Sequence, residues 1–250
     1  MLKDTSLETP VLEHGHRLDD IVSRIGDRGK SERFLKDMVY GGVDGGVTTL
    51  AIVSGVAGAG LPGYIVISLG LANVLADGFS MAASNYLGNR TELERLYLLK
   101  AMEQRHIIEC RDGELSELRV ILQRRGLGGH KLEEAIQVIS SNTHLWIDLM
   151  LLDEHGVSPV EARPVSAAAY TFAAFVLCGA VPLVPFVFQW QQSFLAAVLA
   201  TLCLFAGIGI LKSRWSLNSW WKSTVETMGV GALAAVIAFS AASLVKPFSG

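Results

Sequence analysis

Acidic, imidazole and thioether side chains recur at helical spacing in the middle of the chain. Three pairs stand three or four residues apart: Glu103 with His106, Glu114 with Glu117, and Met150 with Glu154. Residues at this spacing share one face of a helix, so each pair can present two donor atoms to one cation. Carboxylate, imidazole and thioether together suit iron(II) or manganese(II) better than calcium, which prefers oxygen alone. The spacing therefore predicts a site for a first-row divalent metal.

The same acidic residues also fit a plainer interpretation. Glutamates at this spacing are common on solvated helices, where they pair with basic side chains, and Arg105, Arg111 and Arg119 are nearby. Met150 taken alone is typical of core packing. The other histidines lack ligand spacing and are interpreted as surface or capping residues: His14, His16, His130, His144 and His155. Spacing alone leaves both interpretations open.

A lone carboxylate stands inside an apolar stretch at 38–61. Asp44 lies there in the run Gly-Gly-Val-Asp-Gly-Gly-Val-Thr-Thr, and the stretch contains no Lys or Arg. A charge at membrane depth is costly and usually faces a partner, a water-filled cavity or an ion. Glycines four residues apart let a second helix approach closely: Gly41 with Gly45, and Gly42 with Gly46. Asp44 is therefore a transport-site candidate on a helix-packing seam.

The next apolar stretch also carries polar groups. Asp77 has Asn73 one helical turn before it and Met81 one turn after it. The Met81 thioether is either a packing group or, beside a carboxylate-bearing helix, a soft ligand to iron(II). Asp77 either contacts an ion or stabilises its helix through hydrogen bonds to backbone or Ser.

These residues are held by apolar helices and one polar segment. Half of the 250 residues are hydrophobic, and mean hydropathy is +0.38. Five stretches reach the roughly 20 apolar residues that span a bilayer: 38–60, 63–87, 166–187, 193–211 and 224–245. Turn composition divides the polar segment into helices at 90–110, 113–126 and 130–155. The predicted fold is all-α, with five transmembrane helices and a three-helix metal-binding domain between spans two and three.

Basic residues give the orientation. Lys and Arg collect before the first span, whereas the link after it carries no charge, so the N-terminal arm is predicted to be cytoplasmic. The polar segment then also lies in the cytoplasm. The predicted domains are an arm at 1–36, spans one and two at 37–89, the cytoplasmic domain at 90–163, and spans three to five with a short outer tail at 164–250.

Composition argues against several other classes of protein. The net charge is −3 and no basic run with interleaved aromatics occurs, so nucleic acid is not an expected partner. The three cysteines show no CxxC spacing, which gives neither a disulfide framework nor a zinc site. The first thirty residues are polar and do not resemble a cleavable signal peptide, so the first span is expected to direct insertion.

Three runs of residues resemble the signature of the vacuolar iron transporter family. They are Asp44-Gly-Gly-Val-Thr-Thr, Val56-Ala-Gly-Ala, and the run from Gly70 to Leu87, which contains Asn-Val-Leu-Ala-Asp-Gly-Phe-Ser-Met. The resemblance continues through the Glu-rich segment to Trp-Ile-Asp-Leu-Met at 146–150. It extends to spans three to five mainly in pattern.

The resemblance implies a homodimer of five-helix protomers that exports iron(II) from the cytosol in exchange for protons. Its path is lined by the first helices of both subunits, where Asp44 and Met81 match the family's pathway residues. The cytoplasmic helices match the family's metal-binding domain. The implied ligands there are Glu103, Glu114, Glu117, Met150 and Glu154.

Two positions depart from the family's pattern. His106 stands where some members carry a glutamate, and Asn73 stands where some carry a pathway glutamate. Imidazole can still bind iron(II), but it is neutral as a ligand and titrates near pH 6.5, at about its ordinary pKa. Without a titratable group at position 73, proton exchange falls to Asp44 and to Asp37 at the cytoplasmic entrance.

We therefore expect a transporter, not an enzyme, with no resident cofactor and with iron(II) as cargo and manganese(II) as the second candidate. It is expected in a bacterial inner membrane or in a vacuole-like organelle membrane. The alternative is a membrane-anchored, ferritin-like protein that binds or oxidises iron, since Glu103-x-x-His106 is half of a di-iron motif. Within the polar segment 90–163 a second Glu-x-x-His is absent. A plain membrane adaptor is the third reading, and it leaves Asp44 without a role.

Overall fold

The computed structural model describes residues 30–213 and 219–245. These residues are helical and include no strand. The helices are α1 (Lys30–Ala59), α2 (Gly63–Glu109), α3 (Arg111–Arg124), α4 (His130–Ser140), α5 (Thr143–Asp153), α6 (Pro164–Ala180), α7 (Val184–Val187), α8 (Ser193–Ser213) and α9 (Trp220–Val245), with a 3-10 turn at Val181–Leu183. Most of the predicted N-terminal arm, His14, His16 and the predicted outer tail lie outside the described residues.

Five helical segments are long and apolar enough to cross a membrane: Phe34–Ala59, Gly63–Glu109, Pro164–Val187, Ser193–Ser213 and Trp220–Leu244. They cover the five stretches predicted from the sequence to within one residue, so that prediction is confirmed. The third span continues past Pro182 and Pro185 because each proline lies in the first turn of a short helix, where no N–H partner is needed. The protein is a multi-pass membrane protein.

Helix α1 lies at the centre of the bundle, where it packs against α2, α6, α8 and α9. Gly41 and Gly45 approach α6 so closely that an added methyl group would strike the backbone carbonyls of Thr171 and Phe175. The predicted helix-packing seam is thus confirmed. Because the helix on the other side of the seam belongs to the same chain, these glycines give no support to a homodimer.

Helix α2 is much longer than a membrane span. Its 47 residues extend about 70 Å, against a hydrocarbon core of about 30 Å. The domain limit predicted between residues 89 and 90 therefore falls inside one continuous helix. This helix links the membrane bundle directly to the polar helices.

The end of α2 shares one buried apolar core with α3, α4 and α5. Leu118, Trp146 and Leu151 lie at its centre and are fully buried. The single helix predicted at 130–155 is wrong, because the chain breaks at residues 141–142 into α4 and α5. The Asn142 side chain accepts a hydrogen bond from the Leu145 N–H and caps α5. Three separate helices follow α2, where the sequence predicted two.

Candidate metal sites

The corner between α2 and α3 brings two of the predicted pairs together. Cys110 is the only residue between these helices, and its backbone bonds to the His106 carbonyl and to the Glu114 N–H hold the corner tight. Glu103 near the end of α2 and Glu114 in the first turn of α3 are only 1% and 4% exposed. Buried carboxylates need a partner, so these two define the centre of what we call the cytoplasmic cluster, after the side of the membrane predicted for this segment.

Each buried carboxylate is paired with an imidazole. Glu103 Oε1 lies 2.8 Å from His155 Nε2, and Glu114 Oε1 lies 3.4 Å from His106 Nδ1. The other oxygen of each carboxylate, Oε2, is buried and has no hydrogen-bond partner among the described residues. Such orphaned polar atoms are rare in folded proteins, and each needs a reason. A cation in the cluster would satisfy these oxygens.

The nearby arginines take other partners. The Arg111 guanidinium lies 5.2 Å from the centre of the Trp146 ring, and Arg119 pairs with Glu133 on the surface. Over residues 30–213 and 219–245, the ion pairs of the two buried glutamates are with histidine and not with arginine. The solvated-face interpretation therefore does not hold for Glu103 and Glu114.

The electrostatics of the cluster favour a bound cation. Burial, followed by repulsion from Glu103 and Glu117, raises the pKa of Glu114 to about 7, and His106 opposes this shift. Burial and the same two glutamates also raise the pKa of Glu154. Glu117 and Glu154 thus belong to the cluster although both are exposed. A divalent cation would relieve the repulsion and displace the bound protons.

Three donor atoms lie close enough to share one ion. The ligand atoms of Glu103, Glu154 and His155 all lie within 4.8 Å of one another. Met150, by contrast, is fully buried in the apolar core of the domain beside Leu151. Its packing is seen directly, and its role as a ligand stays a prediction.

His155 is the member of the cluster that the sequence interpretation missed. We interpreted it as a surface or capping residue, which is wrong, because its side chain is 16% exposed and pairs with Glu103. Helix α5 ends at Asp153, so helical spacing carries no information on the direction of His155. Its position directly after Glu154 is the one local signal. His130 and His144 are exposed, as predicted.

Two hydrogen bonds between side chains fix the register of α1 against α2. The Asn85 amide donates to Asp37 Oδ1 at 2.9 Å, and the Asn73 amide donates to Thr48 Oγ1 at 3.4 Å. The two helices run in opposite directions, since residue numbers rise along α1 from the first bond to the second and fall along α2. Polar groups therefore meet at two levels of the same helix pair.

Asp44 lies between these two bonds and level with Asp77. This level follows from the register that the two hydrogen bonds set. Asp44 is partly buried, whereas Asp77 is exposed on an apolar span. Asp77 makes no side-chain hydrogen bond to the described residues, so the helix-stabilising bonds considered for it are not seen. Two carboxylates at one level in a membrane span favour a cation between or beside them.

A cavity of about 1290 Å³ opens between the first turns of α1 and the middle of α2. Its lining includes the predicted pathway residues Asp37 and Met81, together with Glu92 and part of the link at 156–163. Asp37 is partly buried, with one oxygen held by Asn85. The cavity thus brings a carboxylate and a thioether of the predicted pathway into one solvent-filled space.

Asn85 joins three membrane helices and was not among the predicted site residues. Its amide nitrogen donates to Asp37 on α1 and to Thr171 Oγ1 on α6, the latter at 2.6 Å. Its own oxygen accepts from Asn89 at 2.5 Å. A signal for it does exist in the sequence, since polar or thioether side chains follow one another every four residues along α2: Asn73, Asp77, Met81, Asn85 and Asn89.

The sequence matches one protein family over most of its length. Residues 35–243 match the sequence profile of the VIT family. The chain belongs to this family. Vacuolar iron transporter 1 of Oryza sativa subsp. japonica is 31% identical over 219 residues, which cover 86% of this chain and 87% of the relative. Vacuolar iron transporter 1 of Eucalyptus grandis is 30% identical over 215 residues, which cover 85% and 86%.

More distant VIT relatives match over a similar length. The vacuolar iron transporter of Toxoplasma gondii is 26% identical over 230 residues, which cover 86% of this chain and 76% of the relative. These proteins are named as transporters, not as enzymes, and the resemblance found in the sequence is confirmed. Membership of the VIT family supports metal ion transport by this chain.

Proposed function

We propose that this chain exports iron(II) from the cytoplasm in exchange for protons, as a homodimer. The observation that carries the proposal is the series of acidic sites along α2: the cytoplasmic cluster, the cavity at Asp37, and the pair Asp44 and Asp77. The names of the relatives support iron as cargo. Manganese(II) is the second cargo, because carboxylate-rich sites separate these two ions weakly.

The cytoplasmic cluster captures the ion. Glu103 and Glu114 supply buried carboxylate oxygens without another partner, and carboxylates replace part of the water shell of a hydrated cation. The predicted ligands around them complete the set: His106, Glu117, Met150 and Glu154. Because the pKa of Glu114 is raised to about 7, binding of a cation near neutral pH would release a proton.

The ion then moves along α2 to the membrane. From Glu103 to Asn85 the helix rises by about 27 Å, at 1.5 Å for each residue. The cavity beside Asn85 offers the carboxylate of Asp37, which Asn85 holds in place. Met81 lies one turn deeper on α2 and supplies a soft donor at the wall of the same cavity.

In the membrane, Asp44 replaces water around the ion. Asp77 at the same level adds a second negative charge, which attracts a cation into the apolar region. A proton that arrives from the opposite side neutralises Asp44, weakens its hold on the cation and so releases it. Since Asn73 does not titrate, Asp44 and Asp37 carry the exchange.

The homodimer and the membrane are part of the proposal. A second subunit, with its own Asp44 beside the first, would cover Asp77, which is exposed on an apolar span of the single chain. The relatives are named for the vacuole. In a bacterial cell the inner membrane is the equivalent place, and in both cases the ion leaves the cytoplasm.

Iron(II) uptake into sealed proteoliposomes tests the proposal. Asp44→Asn removes the charge but keeps the shape, and we expect it to abolish uptake. Glu226→Gln is the matched control, because Glu226 is also an acid on a span but is exposed and pairs with Lys212. Asp44→Asn protein that is folded and transports iron at the rate of the wild type would overturn the proposal.

A second candidate function is oxidation of iron(II) by dioxygen in the cytoplasmic cluster. The polar segment lacks a second Glu-x-x-His, but the fold brings two Glu/His pairs together: Glu103 with His155, and Glu114 with His106. Ferritin-like di-iron sites use two Glu-x-x-His motifs and two further glutamates, so this cluster offers a related set of donors and not the same motif. Oxygen consumption on adding iron(II) to the full chain separates the two candidates, since a capture site should consume none above background.

A further inference from the structure

The segment that follows α5 turns back against α2. It carries Glu154 and His155, and the side chain of His155 is 16% exposed. His155 Nε2 lies 2.8 Å from Glu103 Oε1, and a Glu154 oxygen lies within 4.8 Å of both atoms. The three donors come from two separate elements, α2 and the end of α5, and converge on one point of the cluster.

A second observation indicates that a ligand belongs at this point. The Glu103 side chain is only 2% exposed, and its Oε2 has no hydrogen-bond partner among the described residues. A hydrogen bond to His155 satisfies one oxygen of the carboxylate and leaves the other one bare. Leaving a buried carboxylate oxygen unpaired is costly, and a divalent cation would remove that cost.

We propose that His155 is a nitrogen ligand of a divalent metal position formed with Glu103 and Glu154. Because of this position, the affinity of the cytoplasmic cluster for cobalt(II) and zinc(II) exceeds its affinity for manganese(II) by more than carboxylates alone would give. The proposal deepens the proposed function, since it concerns the cluster that captures the cargo. It adds a ligand outside the helical pairs and gives the cluster a metal preference.

The chemistry of the donors supports this preference. Imidazole nitrogen suits iron(II), cobalt(II) and zinc(II), whereas carboxylate and water are the usual ligands of manganese(II) and magnesium. An Nε2 that binds a metal carries no proton, so the imidazole proton then resides on Nδ1. Glu103 then turns from a hydrogen-bond acceptor of His155 into a second ligand of the same ion.

The alternative role of His155 is a hydrogen bond that only positions Glu103, and one substitution separates the two. His155→Gln keeps an N–H that can donate to Glu103 but removes the imidazole. His155→Ala removes both. His130→Gln is the matched control, because His130 is 85% exposed and contacts only Glu134 among the described residues.

The experiment measures binding of cobalt(II), zinc(II) and manganese(II) to the full chain in detergent, by competition with a chelating dye. We expect both His155 variants to lose about tenfold or more in cobalt and zinc affinity and about threefold or less in manganese affinity. X-ray absorption at the zinc edge should show one imidazole fewer in both variants. His130→Gln should match the wild type.

Two results would overturn the proposal. The first is that His155→Gln binds every metal as the wild type does, with the imidazole signal unchanged, which would make His155 a positioning residue. Equal losses for all three metals would mean that the preference does not come from the imidazole. Since binding is measured in detergent without any flux, failure here is distinct from failure of iron export in proteoliposomes.

Discussion

At the scale of single residues, the carboxyl group of Glu114 in the cytoplasmic cluster has a pKa well above that of an ordinary glutamate. Its pKa is raised to about 7, so the ionised form is less favourable in the folded than in the unfolded chain. The folded state is therefore destabilised by Glu114 above neutral pH, and this effect disappears as the pH falls through 7 toward the ordinary glutamate pKa of about 4.3.

We expect Glu114→Gln to stabilise the metal-free protein clearly more at about pH 8 than at about pH 5. The melting temperature should rise by about 2–4 °C, the change that about 1 kcal/mol produces in a chain of this size. Thermal melting in detergent measures it, with the exposed Glu133→Gln as control. A gain of equal size at both pH values would contradict the charge argument.

Asn85 is the second residue whose role is testable by itself. Asn85→Ala removes the hydrogen bond that holds Asp37 at the entrance. We expect the KM for iron(II) uptake to rise about fivefold, as loss of one hydrogen bond of about 1 kcal/mol would give, with little change in the maximal rate. Thr171→Val is the control, because it removes the other acceptor and leaves the bond to Asp37 intact. Equal KM values in all three proteins would refute a role at the entrance.

At the scale of elements, the contact between α1 and α6 holds the pathway helix in place. Gly45 lies against the Phe175 carbonyl, where a methyl group has no room, whereas Gly55 on the same helix has open space around it. We expect Gly45→Ala to destabilise the bundle by about 1–3 kcal/mol through overpacking. Gly55→Ala should leave the melting temperature almost unchanged. Similar melting curves for both variants would show that the seam tolerates separation.

The elements also show how far sequence reasoning reaches. Spans were predictable because a bilayer demands long apolar runs, and the pairs Glu103 with His106 and Glu114 with Glu117 were predictable because helical spacing sets one face. The role of His155 was not predictable, because it follows the end of α5 and contacts a residue 52 positions away. The role of Asn85 was not predictable either, because it depends on hydrogen bonds to two other helices. The break between α4 and α5 depends on a cap that a helical pattern can hide.

At the scale of the whole molecule, the exposed Asp77 calls for a second subunit. We expect the protein to have about twice the 26.9 kDa mass of one chain when light scattering measures it in a mild detergent, after subtraction of the detergent mass. The reason is that an exposed carboxylate on an apolar span is stable when a partner or water covers it. Full transport activity from a species with the mass of one chain would argue against the homodimer.

At this scale, we propose that one path carries iron(II) outward and protons inward. The most direct test of this proposal records iron uptake and internal pH together in sealed proteoliposomes, with wild-type protein and with Asp44→Asn. We expect wild-type uptake of iron to move protons in the opposite direction, and a proton gradient that drives protons in that direction to speed the uptake. Asp44→Asn should stop both flows. Iron uptake by the wild type without proton movement would contradict the proposal. Iron uptake by Asp44→Asn at the rate of the wild type would also contradict it.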